Sequence, residues 1–173
     1  DWNDFNYYTL FQLHFFDEAH SEHYIGGVKI GFKGQQKNDT KRYYIGQSFE
    51  QIDSNHFSIG SSDEYYENLN KLGEHVRTSI LEGLNDVALK LDLLKQIENE
   101  DVFKTSFLRN FELGTIEHQL HSIAKGGARL TEFSFVYTYS SVLADIENNP
   151  SLNFNVVPFV LPPSNLHVII GRN

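Results

Sequence analysis

The hydrophobic period of this chain changes twice, and that pattern constrains its fold more than any other feature. Residues 7–16, YYTLFQLHFF, alternate, with Leu10, Gln12 and His14 on one face and Phe11, Leu13 and Phe15 on the other. A period of two is that of a strand. The polar DEAHSEH then predicts a turn, and YIGGVKIGFKG from Tyr24 alternates through Val28, Ile30 and Phe32 as a hairpin partner. Gly26-Gly27 marks a bulge or a close backbone approach. After the loop GQQKNDTKR, a third strand is expected from Tyr43 to Phe49 and a short fourth from His56 to Ile59.

At Ser61 the period lengthens. Ser61-Ser62-Asp63-Glu64 has Ser at a cap position and Glu three residues on, the pattern of a capping box. Tyr65, Leu69, Leu72, Val76, Ile80 and Leu84 follow at steps of three and four as one expected buried stripe. Gly83 and Asn85-Asp86 mark a break. Three further helical pieces follow: VALKLDLLKQIEN, DVFKTSFLRNF, and a segment carrying Leu113, Ile116, Leu120 and Ile123 that ends in Lys125-Gly126-Gly127. A basic residue followed by Gly suits a helix C-terminus.

From Ala128 the period returns to two. In ARLTEFSFVYTYS the alternation predicts a buried face of Thr131, Phe133, Phe135, Tyr137 and Tyr139. VLADIENNPS reads as a short helical turn or loop, and LNFNVVPF as a strand whose Pro158 suits an edge. Pro162-Pro163-Ser164-Asn165 turns the chain into a last strand, Leu166–Ile170. The class is therefore α+β: a small antiparallel sheet, a helical region, then further antiparallel strands. The domain boundary is expected near Gly126-Gly127, dividing residues 1–127 from 128–173.

Composition excludes several functions. Fourteen basic and 23 acidic residues give a formal charge of −9, which repels nucleic-acid backbones, so direct DNA binding by this piece is disfavoured. With no Cys there is no disulfide framework, thiolate nucleophile or Cys-ligated zinc. No segment approaches the roughly 18 consecutive apolar residues of a membrane span. DWNDFNYY is acidic and aromatic where a signal peptide is basic and then aliphatic, so a cytoplasmic protein without membrane partners is expected. The absence of Met, even at position 1, suggests that the chain does not begin at its translational start.

An apolar strand running into Gly171-Arg172-Asn173 is how a phosphate-binding loop of the pattern G-x-x-x-x-G-K-S/T begins. The glycines of such a loop let backbone N–H groups reach phosphates, and its Lys supplies charge. NFNVVPFVLPPSNLHVIIGRN resembles the strand, turn and strand that enter this loop in ABC-class ATPases of the SMC-like and recombination-repair kind. The resemblance covers residues 128–173, which would open the nucleotide-binding lobe, the chain being cut at the start of the loop. It implies that Gly171, Arg172 and Asn173 belong to an ATP site completed by Mg²⁺. It implies also that Phe154 lies where some members keep an adenine-stacking aromatic, the other reading of that residue being core packing on a strand. The whole protein would hydrolyse ATP between two lobes, from a homodimer or a partner protein, coupled to DNA processing or anti-phage defence. The piece itself would not be catalytic, because the Lys, the Mg²⁺ ligands and the water-positioning carboxylate are missing. Residues 1–127 would be an accessory region, as in multi-domain ATPases of prokaryotic defence systems.

Other residues admit two readings each. Glu117, His118 and His121 could gather a metal, or could flank the seam of Leu120 and Ile123. Asp17, Glu18, His20 and His23 could hold a cation or form a solvated turn. Arg109, Lys125 and Arg129 could meet a phosphate or an acidic partner, or compensate helix ends. No G-x-S-x-G elbow supports a hydrolase triad. The alternative function is a self-contained α+β interaction module without catalysis, motivated by the Tyr-rich N-terminal segment and the acidic charge.

Overall fold

A computed structural model describes residues 4–39, 45–46, 48–129, 131–138, 151–158 and 167. The chain forms two compact units, Asp1–Arg129 and Leu130–Asn173. The architecture is α+β, with an antiparallel sheet, then helices, then antiparallel strands. Among the described residues no helix is long and apolar enough to cross a membrane.

In the first unit β1 (Leu10–Phe16) and β2 (Glu22–Phe32) form the expected hairpin. Asp17 closes its turn, Oδ1 accepting hydrogen bonds from the amides of Ala19 and Ser21, both at 2.9 Å. Opposite Leu13 stands Gly26 and opposite His14 stands Tyr24, so Ile25 is the extra residue of a bulge and turns its side chain into the core. Gly26 carries this kink at φ +146°, and a Cβ there would meet Tyr65 at 3.4 Å.

β3 (His56–Gly60) pairs with β2 and completes a sheet of order β1-β2-β3. The strand expected at Tyr43–Phe49 is not seen where it can be judged. Ile45, Gly46, Ser48 and Phe49 lie outside every strand, and Lys41–Tyr44 and Gln47 lie outside the described residues. The physical reason is that β3 already occupies the open edge of β2 over Val28–Phe32.

Helix α1 (Asp63–Lys71) starts one residue later than a cap at Ser61 implies, with Ser62 at the cap and no side-chain capping bond to the backbone. The stripe from Tyr65 to Leu84 is not one helix. Gly73, at φ +89°, breaks it, and α2 (Glu74–Gly83) restarts with its inward face rotated to Arg77 and Leu81, leaving Val76 and Ile80 only part-buried. There follow α3 (Leu91–Ile97), α4 (Asp101–Thr105), a 3₁₀ turn at Phe107–Arg109, α5 (Leu113–Thr115), a π turn at Ile116–Leu120 and α6 (His121–Ala124). Gly126 ends the series at φ +93°, as the Lys-Gly-Gly sequence predicts.

The core joins sheet to helices through aromatic rings. Phe57 of β3 lies 5.0 Å from Phe107 and 6.4 Å from Phe103, ring centre to ring centre. Gly31, opposite Phe57, leaves the space that Phe107 fills. A second junction centres on Asp86, fully enclosed between α2 and α3. Its Oδ1 accepts from the amides of Ala88 (2.9 Å) and Leu89 (3.0 Å), and its Oδ2 from the Tyr66 hydroxyl (3.0 Å). The same Tyr66 oxygen accepts from the Gly60 amide at 3.0 Å, tying β3, α1 and the α2–α3 connection together.

The second unit contains β4 (Phe133–Thr138) and β5 (Ser151–Val156), paired antiparallel with Phe135 opposite Phe154. The aromatic face of β4 is not buried as the alternation predicts: Phe133, Phe135 and Tyr137 are 53%, 51% and 54% exposed. A two-stranded ribbon has no second layer of its own to bury a face against. Residues 142–149 and the strand predicted at Leu166–Ile170, apart from His167, fall outside the described residues.

Candidate functional site

The predicted phosphate-loop residues, Gly171, Arg172 and Asn173, lie outside the described residues. What is described of their unit is the ribbon upstream of them. Phe135 and Phe154 stack at 4.7 Å with planes 12° apart, Phe133 continues the stack at 6.5 Å, and His167 meets Phe154 edge-on at 5.0 Å. Cross-strand pairing of Phe135 with Phe154 puts both rings on one face, where Phe133 and Phe135 are exposed and Phe154 is half-buried. Such a surface can stack a flat heterocycle.

The histidine groups resolve to local roles. Among the described residues no three of His, Asp and Glu converge as a metal site. His121 Nδ1 lies 2.6 Å from the Ala88 carbonyl, and His23 Nε2 lies 3.0 Å from Asp17 in the hairpin turn. Arg129 pairs with Asp63 at 3.1 Å, and the Lys125 carbonyl accepts a long bond from Arg77 at 3.5 Å.

Arg109 belongs to a polar centre that sequence reasoning missed. Asp4, 3% exposed, is its hub: Oδ2 accepts from Lys29 Nζ and from Ser106 Oγ, each at 2.8 Å, and Oδ1 from Arg109 at 2.6 Å. Lys29 also donates to the Ser106 carbonyl, and Thr9 and Ser106 hydroxyls lie 2.8 Å apart. Burial alone would raise the Asp4 carboxyl, but the bonds from Lys29, Arg109 and Ser106 hold it below the usual value. Burial lowers the Lys29 ammonium, partly offset by Asp4. The one signal in the sequence is a Lys in the middle of the apolar run V-K-I-G-F, where an unpaired charge would be costly. Its partner lies 25 residues away, beyond the reach of a local pattern.

No family model matches the chain, and no solved structure matches it. The chain is similar to Protein ea59 of Escherichia phage lambda, 36% identical over 172 residues, an alignment that takes in 99% of this chain and 32% of the phage protein. The chain thus spans about a third of the length of that curated relative.

Proposed function

We propose that this chain is part of an ATP-binding protein of the ABC class whose nucleotide lobe opens with β4 and β5, and whose work is DNA processing or anti-phage defence. The observation that carries the proposal is the exposed aromatic ribbon directly ahead of the Gly171 loop. Exposed Phe133 and Phe135 rings beside a half-buried Phe154 are unfavourable in isolation and suit a lobe in which further chain and an adenine ring complete the layer. Two further facts support it. Residues 130–173 form a compact unit of their own. The lambda relative is about three times as long as the aligned segment, which leaves room for the remainder of a lobe.

In this reading Gly171, Arg172 and Asn173 begin the phosphate loop, and backbone amides following Gly171 hold phosphate. Bound Mg²⁺-ATP supplies the phosphoryl group whose hydrolysis drives the protein. The described residues contribute binding and orientation: the Phe135–Phe154 face holds the base. Residues 1–129 are accessory.

The test is titration of the complete protein with a fluorescent ATP analogue in Mg²⁺, alongside reading the sequence that follows Asn173. Binding is expected, with Gly-x-Gly-Lys and Ser or Thr continuing the loop. Phe154→Ala should weaken binding by about 1–3 kcal/mol, or roughly 5- to 150-fold, the worth of one aromatic stack on a base. Absence of ATP binding by the complete protein overturns the reading.

A further inference from the structure

Beside the Asp4 centre, in the first unit, a cavity of about 280 Å³ opens to the surface, walled by Asp4, Leu10, Lys29, Ser61, Arg109 and Asn110. Its charge balance is unusual for a chain of net charge −9. Lys29 and Arg109 bring two positive charges and Asp4 one negative, leaving the wall a surplus of one positive charge. Both Asp4 oxygens are already occupied by Lys29, Ser106 and Arg109. What remains unused is donor capacity. Only NH1 of Arg109 is engaged by Asp4, and the side chain is 40% exposed. The Ser61 hydroxyl oxygen is buried against β2 and offers nothing to the cavity, whereas the exposed Asn110 amide gives one hydrogen to the Ser61 carbonyl at 3.3 Å and keeps the other. Leu10 makes the apolar part of the wall.

We propose that this cavity binds a singly charged organic carboxylate with a small apolar body. The carboxylate takes the open donors of the Arg109 fork and the second hydrogen of the Asn110 amide, and the body lies against Leu10. A planar guanidinium matches a carboxylate with two parallel bonds, which adds geometric selectivity. A surplus of one charge beside the Asp4 carboxylate accepts one negative charge and repels a second, so a dianionic phosphate is a poorer fit. The carboxylate can come from a free small acid or from the C-terminus of a peptide ending in an apolar residue. The site is separate from the nucleotide reading and stands or falls independently of it.

Calorimetric titration of the 173-residue chain with 4-methylpentanoate, with acetyl-Gly-Gly-Leu, with the carboxamide of each and with inorganic phosphate tests the proposal. Each acid should bind at least about 10-fold more tightly than its amide, the worth of a hydrogen bond to a charged group. A peptide binding more tightly than the small acid assigns the site to a chain terminus; equal affinities assign it to a free acid. Arg109→Lys keeps the charge and loses the fork, and should weaken the acid about 10-fold. Asn110→Ala removes an exposed amide, so it should leave the unfolding transition nearly unchanged while weakening the acid several-fold. Equal affinity for acid and amide, a preference for phosphate, or no binding of either acid at about ten times a millimolar Kd overturns the proposal.

Discussion

Replacing Tyr66 by Phe removes a single oxygen from a side chain with no exposed surface, and the consequences can be counted. The ring and its edge-on contact with Tyr65 at 5.0 Å remain. Asp86 Oδ2 loses the donor it accepts from, while the Gly60 amide loses the Tyr66 oxygen but keeps the Asp86 carboxylate beside it. An abandoned buried polar group costs about 1–3 kcal/mol, so the substitution should cost about 1–3 kcal/mol. The cost should depend on pH. Burial raises the Asp86 carboxyl from 3.8 to about 7, while hydrogen bonds from Leu89, Tyr66 and Ala88 pull in the other direction. A group whose folded pKa is raised binds its proton more tightly when folded, so its contribution to stability falls as pH rises from about 4 to about 7 and is flat above. Losing the Tyr66 hydroxyl removes a donor from the carboxylate and raises the folded pKa further. The variant is therefore penalised more at pH 8 than at pH 5. Urea unfolding followed by circular dichroism at 222 nm reads the helices, which among the described residues all belong to the first unit, and the midpoint should drop by about 0.5–1.5 M at pH 8. A loss below about 0.5 kcal/mol at pH 8, or an equal loss at both pH values, would refute the accounting.

Two further perturbations probe other parts of the first unit. Lys29→Met leaves the Asp4 carboxylate with Ser106 and Arg109 alone, and should cost about 3–5 kcal/mol by the same unfolding assay. Pairing it with Asp4→Asn should restore part of that, and no restoration would mean that the pair does not act as a unit. Gly60→Ala places a Cβ 2.2 Å from Tyr65 Cδ1 and 2.9 Å from the Tyr66 ring, so overpacking should cost about 1–3 kcal/mol or more, where a wild-type transition would show that α1 can move off β3.

The succession of periods in the sequence determined the order of elements, because alternation and helical spacing are local consequences of backbone geometry. The β1–β2 hairpin, its bulge at the Gly-Gly pair and the glycine end of the last helix follow from neighbours within a few residues. The inward face of α2 did not. Val76 and Ile80 continue the stripe on paper, but Gly73 resets the helix axis, and Arg77 turns inward, where its guanidinium reaches Asn70 and the Lys125 carbonyl. The exposure of Phe133, Phe135 and Tyr137 was equally invisible, since alternation states which residues share a face and not whether a second layer covers it. The Asp4–Lys29–Arg109 centre shows the same limit most plainly. Its bonds span 25 to 105 positions, and a charge's partner at such separation is chosen by how sheet and helices pack, which only the tertiary structure decides.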